Sequence, residues 1–86
     1  MSYRLQYHKD VRKFLKTHRD INQRAINAFE QIAQNPYQNA LDISKLQGEA
    51  NKYRLRLGKY RFLYEIIEAQ ILIYAYKADS RGGVYK

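Results

Sequence analysis

The stretch "YRLRLGKYRFLY", residues 53–64, constrains more than any other what this chain can fold into. Apolar and polar residues alternate on both sides of Gly58-Lys59, the pattern of two strands whose side chains point to opposite faces in turn. Glycine at the first central position of a two-residue loop suits a type II′ hairpin turn. That loop sets the register: Leu57 opposite Tyr60, Arg56 opposite Arg61, Leu55 opposite Phe62 and Arg54 opposite Leu63. One face then carries Tyr53, Leu55, Leu57, Tyr60, Phe62, Tyr64 and Ile66, almost wholly apolar. The other gathers Arg54, Arg56, Arg61 and Leu63.

The rest of the chain supplies what the apolar face needs. "YRLQY", residues 3–7, alternates at period two and reads as a first strand. Asp10 is placed to cap a short helix whose buried stripe is Val11, Phe14, Leu15 and His18. Asp20 is the cap candidate for a longer helix with the stripe Ile21, Ala25, Ala28, Phe29 and Ile32. That helix stops at Asn35-Pro36, because a residue before proline is pushed out of the helical region. Residues 36–51 are polar and read as an irregular connector. Strands follow over 53–57, 60–67 and 70–77, with Glu68-Ala69 as the second turn or a turn longer by one or two residues; with the two-residue turn, Ile71, Ile73 and Ala75 join the apolar face and Tyr74 and Tyr76 the arginine face. The expected fold is α+β, a single domain over 1–86: a strand, a two-helix hairpin and a three-stranded antiparallel meander, with the helices packed on one sheet face.

Composition excludes several classes. The chain is 45% apolar and 28% charged, a globular rather than a disordered balance. No apolar run approaches the roughly 20 residues of a membrane span. "MSYRLQYHKD" lacks the apolar core of a secretory signal, and there is no cysteine, so a cytoplasmic protein without disulfides is expected. No metal-ligand spacing or cofactor motif is present, and neither a metal nor a cofactor is expected. Sixteen Lys and Arg against eight Asp and Glu give a net charge of +8, the footprint of a nucleic-acid or acidic partner.

Like charges placed opposite each other in a sheet are destabilising, so three clustered arginines call for an anion. Glu49 and Glu65 are the carboxylates near enough in sequence to neutralise them. The alternative is a phosphate, which suits the planar fork of arginine, with the tyrosines available to stack bases. RNA carries its own nucleophile, the 2′-hydroxyl, so a face that orients it and neutralises developing charge supplies much of a cleavage reaction. Arginine cannot act as an ordinary base. Tyr85 and Lys45 are the candidates for proton transfer.

Three blocks, "KLQG" (45–48), "YRLRLGKYRFLYEI" (53–66) and "SRGGVYK" (80–86), make the whole chain resemble the RelE/ParE toxin superfamily of bacterial toxin–antitoxin systems. The resemblance to the RelE branch implies a toxin that cuts mRNA in the ribosomal A site and is silenced by a cognate antitoxin. It further implies that Arg61, Arg81 and Tyr85 are catalytic and that Arg54 and Arg56 bind RNA; Tyr74 and Tyr76, read onto the same face from the alternation, and Lys45 are the further RNA-binding candidates. Arg54 and Arg56 stand where the best-known RelE members carry lysines. The ParE branch, which shares the fold but poisons DNA gyrase, is the first alternative. A non-catalytic RNA-binding module is the second.

Overall fold

The computed structural model describes residues 2–80. Its elements are β1 (Arg4–Tyr7), α1 (Lys9–Thr17), α2 (Arg19–Gln34), β2 (Ile43–Lys45), β3 (Lys52–Leu57), β4 (Tyr60–Ile67), a 3₁₀ turn (Glu68–Gln70) and β5 (Leu72–Ser80). They form one five-stranded mixed sheet in the order β1-β5-β4-β3-β2, with β1 parallel to β5 and the remaining pairs antiparallel. Both helices pack on one face. This is the α+β arrangement expected from the sequence, with one strand added.

The β3–β4 hairpin has the register that the two-residue loop dictates, with Arg56 opposite Arg61 and Leu55 opposite Phe62. Gly58 sits at φ +61°, as the first position of a II′ turn requires and as an L side chain rarely adopts. Leu55, Phe62, Tyr64 and Ile66 are buried against Val11, Ile21, Phe29 and Ile32 of the helices. Phe29 stands at the centre, edge-to-face with Tyr7, Phe62 and Tyr64 at centroid distances of 5.7–5.9 Å. Burial pushes the Tyr7 hydroxyl up to about 12.

The helix caps differ from expectation. His8, not Asp10, caps α1: its Nδ1 accepts from the Asp10 N–H at 3.0 Å, because the helix starts two residues earlier than an Asp10 cap implies. Asp20 lies inside the first turn of α2, where the Tyr60 hydroxyl donates to its Oδ2 at 2.8 Å. That bond holds the Asp20 carboxyl below its usual range. The single residue between the helices, His18, stacks on Phe14 at 3.9 Å, so the hairpin connection is as tight as expected. Helix α2 ends at Asn35-Pro36 as the proline dictates.

Three corrections fall on the sheet. The connector 36–51 is not wholly irregular: Ile43–Lys45 adds an edge strand opposite Leu55, Arg54 and Tyr53. Three residues are too few to show a period. The turn after β4 is longer than two residues, and Ile71 leaves the core for a left-handed conformation at φ +49°, about half exposed. A bulge then follows. Leu63 faces Lys77 while Tyr64 faces Ala75, which leaves Tyr76 as the extra residue in β5.

Glu68 ties the long turn down. It accepts from the Tyr3 hydroxyl at 2.7 Å and from the Tyr37 hydroxyl with its other oxygen. These bonds, Tyr37's first, hold its carboxyl below the ordinary 4.5. A carboxyl with a depressed folded value adds stability above its unfolded value and loses it as pH falls through the folded one. Glu68→Gln, which can accept at one oxygen only, is therefore expected to be less stable than wild type at neutral pH. The gap should narrow as pH falls below the ordinary carboxylate range and close once Glu68 itself is protonated at its lowered folded value. Urea midpoints across a pH series read this, and a gap that stays constant into acid would count against it.

Candidate nucleic-acid interface

The sheet face away from the helices carries the basic cluster. Arg54 and Arg61 line a cavity of about 270 Å³ together with Leu46, Leu63, Lys77 and Asp79. The five strand positions that bring these side chains together are adjacent in register: Arg54 faces Leu63, Leu63 faces Lys77, and Arg61 faces Asp79.

Neither Glu49 nor Glu65 neutralises the arginines. Glu49 sits 3.5 Å from the Lys52 ammonium, and Glu65 faces Lys52 and Tyr74 across the sheet. The carboxylates that do meet them come from segments far away in sequence. Asp42, just before β2, accepts from Arg56 Nε at 2.9 Å, and its carbonyl accepts from the Arg56 N–H. Asp79 Oδ1 lies 3.4 Å from Arg61 Nε, a charge contact in which the N–H is not aimed at the oxygen. Both of those atoms are shielded from solvent, and neither makes a hydrogen bond. Arg54 has no carboxylate partner among the described residues. The like-charge crowding expected of Arg56 and Arg61 is thus relieved by sending one guanidinium toward the β2 edge and the other toward β5.

The remaining residues singled out in the sequence fall in three places. Tyr74 and Tyr76 are half-buried, with rings 6.5 Å apart. Lys52 Nζ lies 5.5 Å from the Tyr76 ring centroid, and the His8 ring lies 6.5 Å from that of Tyr74. Burial is the main cause that raises the Tyr76 hydroxyl above its usual range. Lys45 is opposite Tyr53, on the helix-facing side of the sheet, where it borders a second concavity of about 240 Å³ with Pro36, Tyr37, Asn39, Leu41 and Ile43. The structure does not bring it to the arginines. Arg81 and Tyr85 lie outside the described residues.

Lys77 and Asp79 are the site residues that alternation alone misses. A strand of unbroken period two that shows Tyr74 on this face would show Tyr76 and Ala78 as well, and would turn Lys77 and Asp79 toward the core. The bulge at Tyr76 reverses the phase, so Ala78 packs toward the core and Lys77 and Asp79 join the arginines. The signal was present in "YKADS" (76–80), where small Ala78 stands between two charges.

Comparison with known proteins places this geometry. No family model matches the chain. RelE1 of Methanocaldococcus jannaschii is 32% identical over 91 residues, which span all of this chain and 98% of that protein. The chain belongs to the RelE toxin family. Among solved structures, the archaeal RelE–RelB complex of Pyrococcus horikoshii matches with a TM-score of 0.80 and 30% identity, covering 95% of this chain and 98% of that one. The RelB–RelE antitoxin–toxin complex of Methanococcus jannaschii matches at 0.73 and 28%, covering 94% and 95%. Isolated Escherichia coli RelE, at 0.76 but 17% identity and covering 92% and 84%, shares the fold. No helix among the described residues is long and apolar enough to cross a membrane.

Proposed function

We propose that this RelE-family toxin is an endoribonuclease that cuts mRNA on the ribosome and is held inactive by a cognate antitoxin. The observation that carries the reading is the cavity in which Arg54, Arg61 and Lys77 converge on one sheet face. Three cations around one concavity suit a phosphodiester better than any neutral ligand. Arg61 supplies a planar fork toward the scissile phosphate, and its contact with Asp79 at Nε leaves the terminal nitrogens as the donors for the phosphate oxygens. Arg54 and Lys77 complete the cradle, and Arg56 extends the basic face toward the β2 edge. Tyr74 and Tyr76 lie just along β5 from the cavity and offer ring faces to bases leaving it.

Arg81 and Tyr85 keep the roles implied by family resemblance: charge stabilisation at the phosphate, and stacking or proton transfer. Ribosome dependence and the antitoxin partner also rest on family membership. The solved relatives named as complexes pair RelE with RelB.

A translation extract programmed with a defined mRNA tests the reading. The purified protein is expected to cut within the coding sequence, and primer extension maps the ends. Intact mRNA together with inhibition of purified gyrase would overturn it in favour of the gyrase-poison reading.

A further inference from the structure

An arginine cluster cannot remove the 2′-hydroxyl proton, and the structure offers one group at the cavity that can. We infer that Asp79 is the general base of RNA cleavage at this site, with Lys77 supplying the proton to the leaving oxygen. The inference rests on the ribonuclease reading above and assigns within it two residues that neither the alternation of the strands nor family resemblance singles out.

The geometry is specific. Asp79 and Lys77 reach this face only because β5 carries an extra residue at Tyr76. Asp79 Oδ1 is shielded from solvent beside Arg61 Nε, yet the side chain as a whole is 39% exposed, so the exposure belongs to its other atoms. Oδ1 stands 3.4 Å from Arg61 Nε without a hydrogen bond, and the Asp79 side chain lines the cavity. A base held in this way stands beside the phosphate that Arg61 binds, where the 2′-hydroxyl next to that phosphate must lie. The charged groups around Asp79 are Arg61 from β4, Lys77 from its own strand and Arg54 from β3. All three are cations, and the Asp79 carboxylate is the one acidic group among the described residues that line that cavity.

The step balances without a co-reactant. The Asp79 carboxylate takes the 2′-hydroxyl proton as that oxygen bonds to the adjacent phosphorus. The bond from phosphorus to the 5′-oxygen breaks, and the departing oxygen takes a proton from the Lys77 ammonium. The products are a 2′,3′-cyclic phosphate and a 5′-hydroxyl. Solvent then carries the proton from Asp79 back to Lys77.

Single-turnover cleavage of mRNA on programmed ribosomes, from mildly acidic to mildly alkaline pH, tests the assignment with Asp79→Asn and Asp79→Glu. Anisotropy measures binding of a 2′-deoxy oligonucleotide that cannot be cut, and thermal melts confirm folding of each variant. Asp79→Asn is expected to lower the rate by about 10²–10⁴-fold. It should bind the deoxy oligonucleotide as tightly as wild type or more tightly, since one negative charge has left a phosphate cradle. Asp79→Glu should retain part of the rate, which also covers the case in which Asn unsettles the strand. A rate for Asp79→Asn within a few-fold of wild type would overturn the inference. Oligonucleotide binding lost in proportion to rate would overturn it too, leaving Asp79 only a holder of Arg61. A wild-type protein that cuts nothing would instead sink the ribonuclease reading itself, so the two failures are distinguishable.

Discussion

Arg61→Ala is expected to slow mRNA cleavage by about 10²–10³-fold, the loss typical of removing one donor aimed at developing charge. Two effects add. The phosphate loses the guanidinium that stands beside Asp79 in the lining of the cavity. Asp79 also loses its partner and becomes a bare carboxylate inside a phosphate site, repelling the substrate it would otherwise act on. RNA binding should therefore weaken together with the rate, and the slope of log affinity against log salt should become shallower by about 0.7, one phosphate contact on a single strand. Arg54→Ala should show the same change in slope with a smaller loss of rate, since no carboxylate partner is left exposed by its removal. Rates from programmed ribosomes and affinities from a salt series read both quantities. An Arg61→Ala enzyme with wild-type rate and slope would remove the cavity from the mechanism.

How much of this site was legible in the sequence depended on the range over which each feature is determined. Arg54, Arg56 and Arg61 were placed correctly because a two-residue loop fixes register and alternation fixes the face, both within a dozen residues. Their carboxylate partners were not legible. Asp42 arrives through a three-residue edge strand, and Asp79 through a bulge whose position depends on packing against β4. Ile71 was misplaced for a related reason. A β-branched residue at φ +49° runs against local preference, and the turn that holds it there is fixed by Tyr3 and Tyr37 from opposite ends of the helical hairpin. The core was legible almost throughout, since helix stripe and strand face each follow their own period.

That core carries the largest expected effect on stability. Phe62→Ala should cost about 3–5 kcal/mol, the range for truncating a buried phenylalanine. Phe62 is completely buried, edge-to-face with Phe14 at 6.0 Å and with Phe29 at 5.9 Å, so its removal opens a cavity between both helices and the sheet. Each aromatic pair adds about 0.5–1.5 kcal/mol beyond its area, which favours the upper part of the range. For a domain near this size about 4–8 °C of melting temperature accompany each kcal/mol, so a fall of at least about 12 °C is expected. Arg56→Ala, six residues away but on the opposite face, supplies the contrast. Its pair with Asp42 is about half exposed on both sides, and such pairs contribute about 0–1 kcal/mol. The melting temperature should move by only a few degrees, whereas without Asp42 the loss of a crowded positive charge would have been stabilising. Denaturation of the two variants side by side separates the faces of the sheet. Equal losses would mean that the arginine face, and not the aromatic one, supports the fold.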